Sequence, residues 1–113
     1  MLVLDDETII ADTLAAILSL HGYESAAVYR GEDAVERSRS FRPELVIADV
    51  VMPGMNGIEA AIAIRKMLPG CKILLFSGQA ATADLLQEAR RSGHDFDILS
   101  KPVHPDELLA KIS

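Results

Sequence analysis

Five short apolar runs alternate along the chain with five stretches of helical periodicity. This alternation predicts an α/β domain: a doubly wound, five-stranded parallel sheet with helices on both faces. Two further observations agree. The 113 residues fit one compact domain spanning 1–113, long enough for a single core without disulfides or a structural metal. Half the residues are apolar, yet there are only two Tyr, three Phe and no Trp, so the core must be built from Leu, Ile, Val and Ala.

The first strand is read at Met1-Leu-Val-Leu4. A helix follows over Thr8 to His21, with Ile10, Leu14, Ile17 and Leu18 on one face and Gly22 at its C-terminal cap. A weaker strand covers Glu24 to Tyr29, and a short helix Glu32 to Ser38 follows Gly31. The third strand, Glu44 to Ala48, delivers Asp49 at its C-terminal end. The next helix runs from Gly57 to Leu68 on the spacing of Ile58, Ala61, Ile64 and Leu68, and Pro69-Gly70 stops it. Lys72 to Phe76 is the most strand-like run and carries Ser77 at its end. A helix over Ala81 to Ser92 is closed by Gly93. Asp95 to Leu99 is the last strand, and Pro105 to Ile112 the last helix, with Pro in its first turn.

The charge balance removes several function classes. A formal net charge of −6 and a pI near 4.9 argue against direct nucleic-acid binding by this domain and against an anionic membrane surface. The apolar runs fall far short of the roughly 18 residues a spanning helix needs. The lone Cys71 cannot form an internal disulfide, has no His–Asn or His–Asp setting, and fits a reducing, cytoplasmic compartment.

In open parallel sheets, ligands sit beyond the carboxyl ends of the strands, where the strand order reverses. That rule selects Asp5, Asp6, Asp49, Ser77 and Lys101, each just past a strand. Three carboxylates converging there would repel by roughly 4 kcal/mol per pair at about 4 Å and an effective dielectric near 20. The cluster therefore asks for a cation or a proton. All-oxygen ligation without Cys or His favours a hard ion, and Mg²⁺ accepts one or two carboxylates while keeping other oxygen ligands. A lysine ammonium and a hydroxyl facing such a site suit a phosphoryl group, and a carboxylate can serve as the nucleophile that forms an acyl phosphate.

Four motifs in order carry a resemblance. They are Asp5-Asp6-Glu7, Asp49-Val-Val-Met-Pro-Gly-Met-Asn-Gly57, Ser77-Gly78 and Lys101-Pro102. From end to end the chain resembles the receiver domain of two-component response regulators. The resemblance implies the flavodoxin-like strand order 2-1-3-4-5 and a phosphorylation-activated switch that catalyses its own phosphorylation. It implies that Asp49 accepts the phosphoryl group, that Asp6 binds Mg²⁺ directly and Asp5 mainly through water, and that the Val51 carbonyl is a further metal ligand. Ser77 would hydrogen-bond a phosphoryl oxygen and Lys101 would pair with it, aimed by a cis Lys101–Pro102 bond. The donor would be a phosphohistidine on a sensor histidine kinase or histidine phosphotransfer protein, and a homodimer formed on phosphorylation belongs to the same picture.

Plainer roles compete for these residues. Asp5 and Asp6 could cap the first helix, Ser77 could be a loop hydroxyl and Lys101 a solvated lysine; their shared strand-end placement favours the site. His21, His94 and His104 have no ligand spacing. Met52 and Met55 read as packing residues, and Gly54 and Gly57 as turn formers.

The chain departs from the family pattern at one place. Many receivers carry Tyr or Phe three residues before the lysine, where this chain has Ile98. Phe96 lies on the same strand face but roughly 6.6 Å away. The activation switch is therefore expected to be altered, with either Phe96 substituting through a shifted loop or Ile98 repacking without ring rotation. Ile98 is also the one support for an alternative reading, a degenerate receiver acting as an unphosphorylated scaffold. A third reading, an aspartyl phosphohydrolase, lacks the acid/base two residues after the nucleophile, because Val51 cannot transfer a proton. Both ends are short for the family, as in a piece trimmed from a longer protein.

Overall fold

The computed structural model describes residues 1–77, 81–100 and 104–112. The elements follow the expected order: β1 (Leu2–Leu4), α1 (Thr8–Leu20), β2 (Ala26–Val28), α2 (Gly31–Phe41), β3 (Leu45–Asp49), α3 (Gly57–Met67), β4 (Lys72–Ser77), α4 (Ala81–Arg91), β5 (Asp97–Ser100) and α5 (Pro105–Ile112). All strand pairs are parallel and the sheet order is β2-β1-β3-β4-β5. The chain moves outward from β1 to β2, returns past it to β3, and continues to the other edge. The order therefore reverses between β1 and β3, which opens a crevice beyond their carboxyl ends.

Side chains alternate across the pleat and feed two cores. Leu2, Leu4, Val46, Ala48, Ile73 and Leu75 pack against α2, α3 and α4. Val3, Ile47, Leu74 and Phe76 face the opposite way and pack with Ala11, Leu14 and Leu18 of α1 and Leu108 of α5. Because both faces are covered, β1 and β3 are buried at every position, which is why their sequences read as unbroken apolar runs.

Three elements depart from the sequence expectation by two residues or more at one end. Helix α2 runs one turn further, to Phe41, where Arg37 lies over the Phe41 ring at 5.5 Å and Arg39 pairs with Glu36 at 3.4 Å. It stops at Arg42, which takes a left-handed conformation (φ 49°) ahead of Pro43, a residue that bars its predecessor from continuing a helix. Strand β2 is shorter than Glu24–Tyr29. Strand β5 starts at Asp97 because Asp95 is held in the preceding turn: its carbonyl accepts from Arg65 (3.0 Å) and its carboxylate from Arg90 (3.2 Å). At the end of α1, Gly22 (φ 89°) donates to Ser19 and Tyr23 to Leu18, the paired closure that a positive-φ glycine permits.

Candidate functional site

Asp5, Asp6 and Asp49 come together at the β1/β3 crevice, each offering a carboxylate oxygen within 4.8 Å of the others. Asp5 and Asp49 are buried and Asp6 is exposed, so the cluster has a closed floor and an open side. Among the described residues this is the place where three metal-capable side chains meet, and His21, His94 and His104 do not join it. Nδ1 of His21 lies 2.9 Å from the Ile17 carbonyl and His94 stacks on Phe96, so both serve local structure.

Each carboxylate is placed by its backbone. The N–H of Asp5 donates to Val28, continuing the β1–β2 ladder one residue past the strand. Its Oδ1 accepts the N–H of Glu7 at 2.9 Å and so turns the chain toward α1. Glu7, at the N-cap of α1, makes no side-chain cap bond. The capping role weighed for Asp5 is thus partly real, because it serves the approach to the helix while its carboxylate also lies in the cluster. Asp49 is the last residue of β3 and pairs in register with Phe76 of β4. Ser77 closes β4 one residue further on, half-buried, on the strand beside Asp49.

The segment from Val50 to Asn56 is fixed at both ends. Val50 donates to Phe76 and accepts from Gly57 (3.0 Å). Asn56 caps α3 by accepting from the Glu59 N–H, while the Glu59 side chain accepts from the Asn56 N–H. Met52 is buried and Met55 packs against the same core, as expected of packing residues. Gly54 has φ 73°, a turn conformation that a side chain would resist. Val51 is 43% exposed beside the cluster in sequence, between two buried neighbours.

Two expectations concern residues the structure does not describe. The phosphoryl-pairing role of Lys101 and the cis Lys101–Pro102 bond both lie outside the described residues. Phe96 sits ahead of β5, buried, with the Arg65 guanidinium 4.5 Å above its ring and His94 stacked on it. Ile98 stands opposite Leu75 in the β4–β5 ladder and is half-buried. Phe96 is thus engaged where β5 begins, the end opposite the carboxylates.

The sequence reading missed the contribution of α2. Gly31 and Glu32 abut Met55, and the Glu32 carboxylate accepts the Met55 N–H. It also passed over the Asn56–Glu59 capping box, although the Asn-x-x-Glu spacing is a readable signal.

A family model described as the response regulator receiver domain matches residues 1–113. The chain belongs to this family. It is 34% identical over 112 residues to the DNA-binding response regulator MtrA of Mycolicibacterium paratuberculosis, covering 99% of this chain and 48% of the relative. The receiver thus spans about half the length of that relative. It is 33% identical to the chemotaxis protein CheY of Thermotoga maritima, covering 100% of this chain and 96% of that protein. Among solved structures, a CheY-like receiver domain protein from Methanospirillum hungatei superposes with a TM-score of 0.86 at 30% identity, over 98% of this chain and 87% of the other. The receiver is a phosphorylation-activated signalling domain of the two-component type, working by self-catalysed transfer to an aspartate rather than by turnover of a separate substrate. Among the described residues, no helix is long and apolar enough to cross a membrane.

Proposed function

We propose that Asp49 is the phosphoacceptor, in a Mg²⁺-dependent transfer from a phosphohistidine on a sensor histidine kinase or histidine phosphotransfer protein. The observation that carries this reading is the convergence of Asp5, Asp6 and Asp49 within 4.8 Å at the β1/β3 crevice. Three oxygen donors, with no nitrogen or sulfur ligand among them, fit a hard divalent cation. Asp5, Asp6, Asp49 and the Val51 carbonyl would hold it. The ion would offset charge between the carboxylate and the incoming phosphoryl oxygens.

The chain's own groups divide the rest. A carboxylate oxygen of Asp49 forms the new bond to phosphorus as the P–N bond to the donor breaks, and the imidazole nitrogen keeps the bonding pair. Burial of Asp49 on the closed side limits attack to the open side, where Asp6 is exposed. Ser77, one residue past the level of Asp49 on the neighbouring strand, donates its hydroxyl to a phosphoryl oxygen. Lys101 supplies the compensating positive charge. A kinase-borne donor and the unpaired, buried Cys71 both fit a cytoplasmic protein.

Incubation with acetyl phosphate and Mg²⁺ tests the reading by intact mass. One phosphoryl group should be gained, lost on hydroxylamine treatment, and absent in Asp49→Asn or with excess EDTA. Undiminished labelling of Asp49→Asn would refute it.

A further inference from the structure

The loop that carries Val51 is held from outside its own strand–helix unit. The Met55 N–H donates to Oε1 of Glu32, on α2, at 3.1 Å. Oε2 of the same carboxylate pairs with Arg30 at 3.3 Å, which orients it from the other side. The Met55 N–H, together with Arg30, keeps the Glu32 carboxyl below the usual range for a glutamate. The approach of α2 to the loop is close. A Cβ on Gly31 would lie 2.7 Å from the Met55 carbonyl oxygen and 2.9 Å from its Cβ. A Cβ on Gly54 would lie 3.3 Å from Glu32 Oε1. Helix α2 therefore meets the loop at two consecutive residues, one through shape and one through a charge-assisted hydrogen bond.

We infer that Glu32 is a positioning residue for the phosphorylation site: by holding Met55 it sets the path of residues 50–56 and thereby the presentation of the Val51 carbonyl to the cation. This inference rests on the reading of Val51 as a ligand given above. Val50 and Asn56 anchor the ends of the loop through β4 and α3, and Glu32 adds a hold near its far end from a separate helix. A backbone carbonyl cannot be re-aimed by a rotamer change, so its direction depends on where its loop is fixed.

A plainer role competes. Glu32 lies in the first turn of α2, where any negative charge stabilises the helix. Two substitutions separate the roles. Glu32→Asp keeps the charge at the helix start but withdraws the oxygen from Met55. Glu32→Gln keeps an oxygen at full reach but removes the charge.

Mg²⁺ alone is titrated into the full chain by calorimetry, and the Mg²⁺ dependence of acetyl phosphate labelling is followed in parallel, with Asp6→Ala as control. Losing a partner of a ligand commonly costs about 10–100-fold in metal affinity. Met55 is not itself a ligand and Glu32 is exposed, so a smaller effect is expected, about threefold to tenfold weaker Mg²⁺ binding in Glu32→Asp. Glu32→Gln should stay within about twofold of the parent, because the hydrogen bond survives without the charge. Saturating Mg²⁺ should restore labelling in Glu32→Asp. Loss in Glu32→Gln with parental affinity in Glu32→Asp would show that helix charge is what matters and would overturn the inference. Parental affinity in both, with loss in Asp6→Ala, would also overturn it and leave the cation site standing. Parental affinity in Asp6→Ala as well would locate the failure in the site itself.

Discussion

The first residue of α3 leans directly on the residue proposed to be phosphorylated: a Cβ placed on Gly57 would overlap the carbonyl oxygen of Asp49 and lie 2.8 Å from its carbonyl carbon. Gly57 has an ordinary negative φ, so the need for glycine is steric and concerns close approach. Gly57→Ala should therefore destabilise the fold by about 1–3 kcal/mol, as overpacking does. At an open helix position the same change would instead gain up to about 1 kcal/mol. Urea denaturation reads the sign directly. Acetyl phosphate labelling should fall in parallel, because relieving the overlap moves the backbone of Asp49.

Asp49 also stands in a cluster of like charges. At about 4.8 Å and an effective dielectric near 20, each pair of ionised carboxylates repels by roughly 3–4 kcal/mol before relaxation and solvent exposure of Asp6 are counted. Mg²⁺ should raise the thermal midpoint of the parent in proportion to its binding. That increment should shrink in Asp49→Asn and Asp6→Ala. A parent whose melting ignores Mg²⁺ would contradict a cation site here.

Phe96 is a structural residue just ahead of β5, clasped by Arg65 and His94 and buried against the core of α2, α3 and α4. Phe96→Ala should cost about 3–5 kcal/mol in equilibrium unfolding, typical of a deleted core ring. Labelling of the remaining folded protein should proceed normally. Selective loss of phosphorylation with little loss of stability would mean that the ring acts at the site after all.

Ile98 occupies the position where many receivers have an aromatic ring, half-buried opposite Leu75. If the departure alters the switch, Ile98→Tyr should change how phosphorylation shifts self-association, measured by analytical ultracentrifugation with and without beryllofluoride. The same response in both proteins would show that the side chain at 98 is immaterial. Phosphorylation itself should persist in either.

The fold was legible because strand and helix periods alternate cleanly and the strands are buried on both faces, so β1 and β3 appear as apolar runs that no helix period disguises. The acidic part of the site was legible for a related reason: the strand ends nominate Asp5, Asp6 and Asp49, and the structure brings these three together. What escaped was long-range and set by the backbone. Nothing in Gly31-Glu32 announces that Met55, far along the chain, will seat against them, since only the sheet order brings α2 beside the β3–α3 loop. The extra turn of α2 was hidden by the polar Arg39-Ser40 ahead of Phe41, which the Arg37–Phe41 contact holds in the helix. Asp95 looked like the start of a strand, yet Arg65 and Arg90 hold it in a turn.

Cys71 gives a pH-dependent check on the distal end of the sheet. It is buried, and burial pushes its thiol above the ordinary range. The folded state therefore favours the neutral thiol more than the unfolded chain does. By linkage, stability is complete below the unfolded thiol's pKa, about 8.5, and falls as pH rises through that value toward the higher folded one. Cys71→Ala should flatten this alkaline decline while lowering stability at neutral pH, because a buried sulfur is lost. Thiol labelling of the parent should be slow in buffer and accelerate with urea in step with unfolding. Rapid labelling of the native protein at neutral pH would contradict the burial of this end of β4.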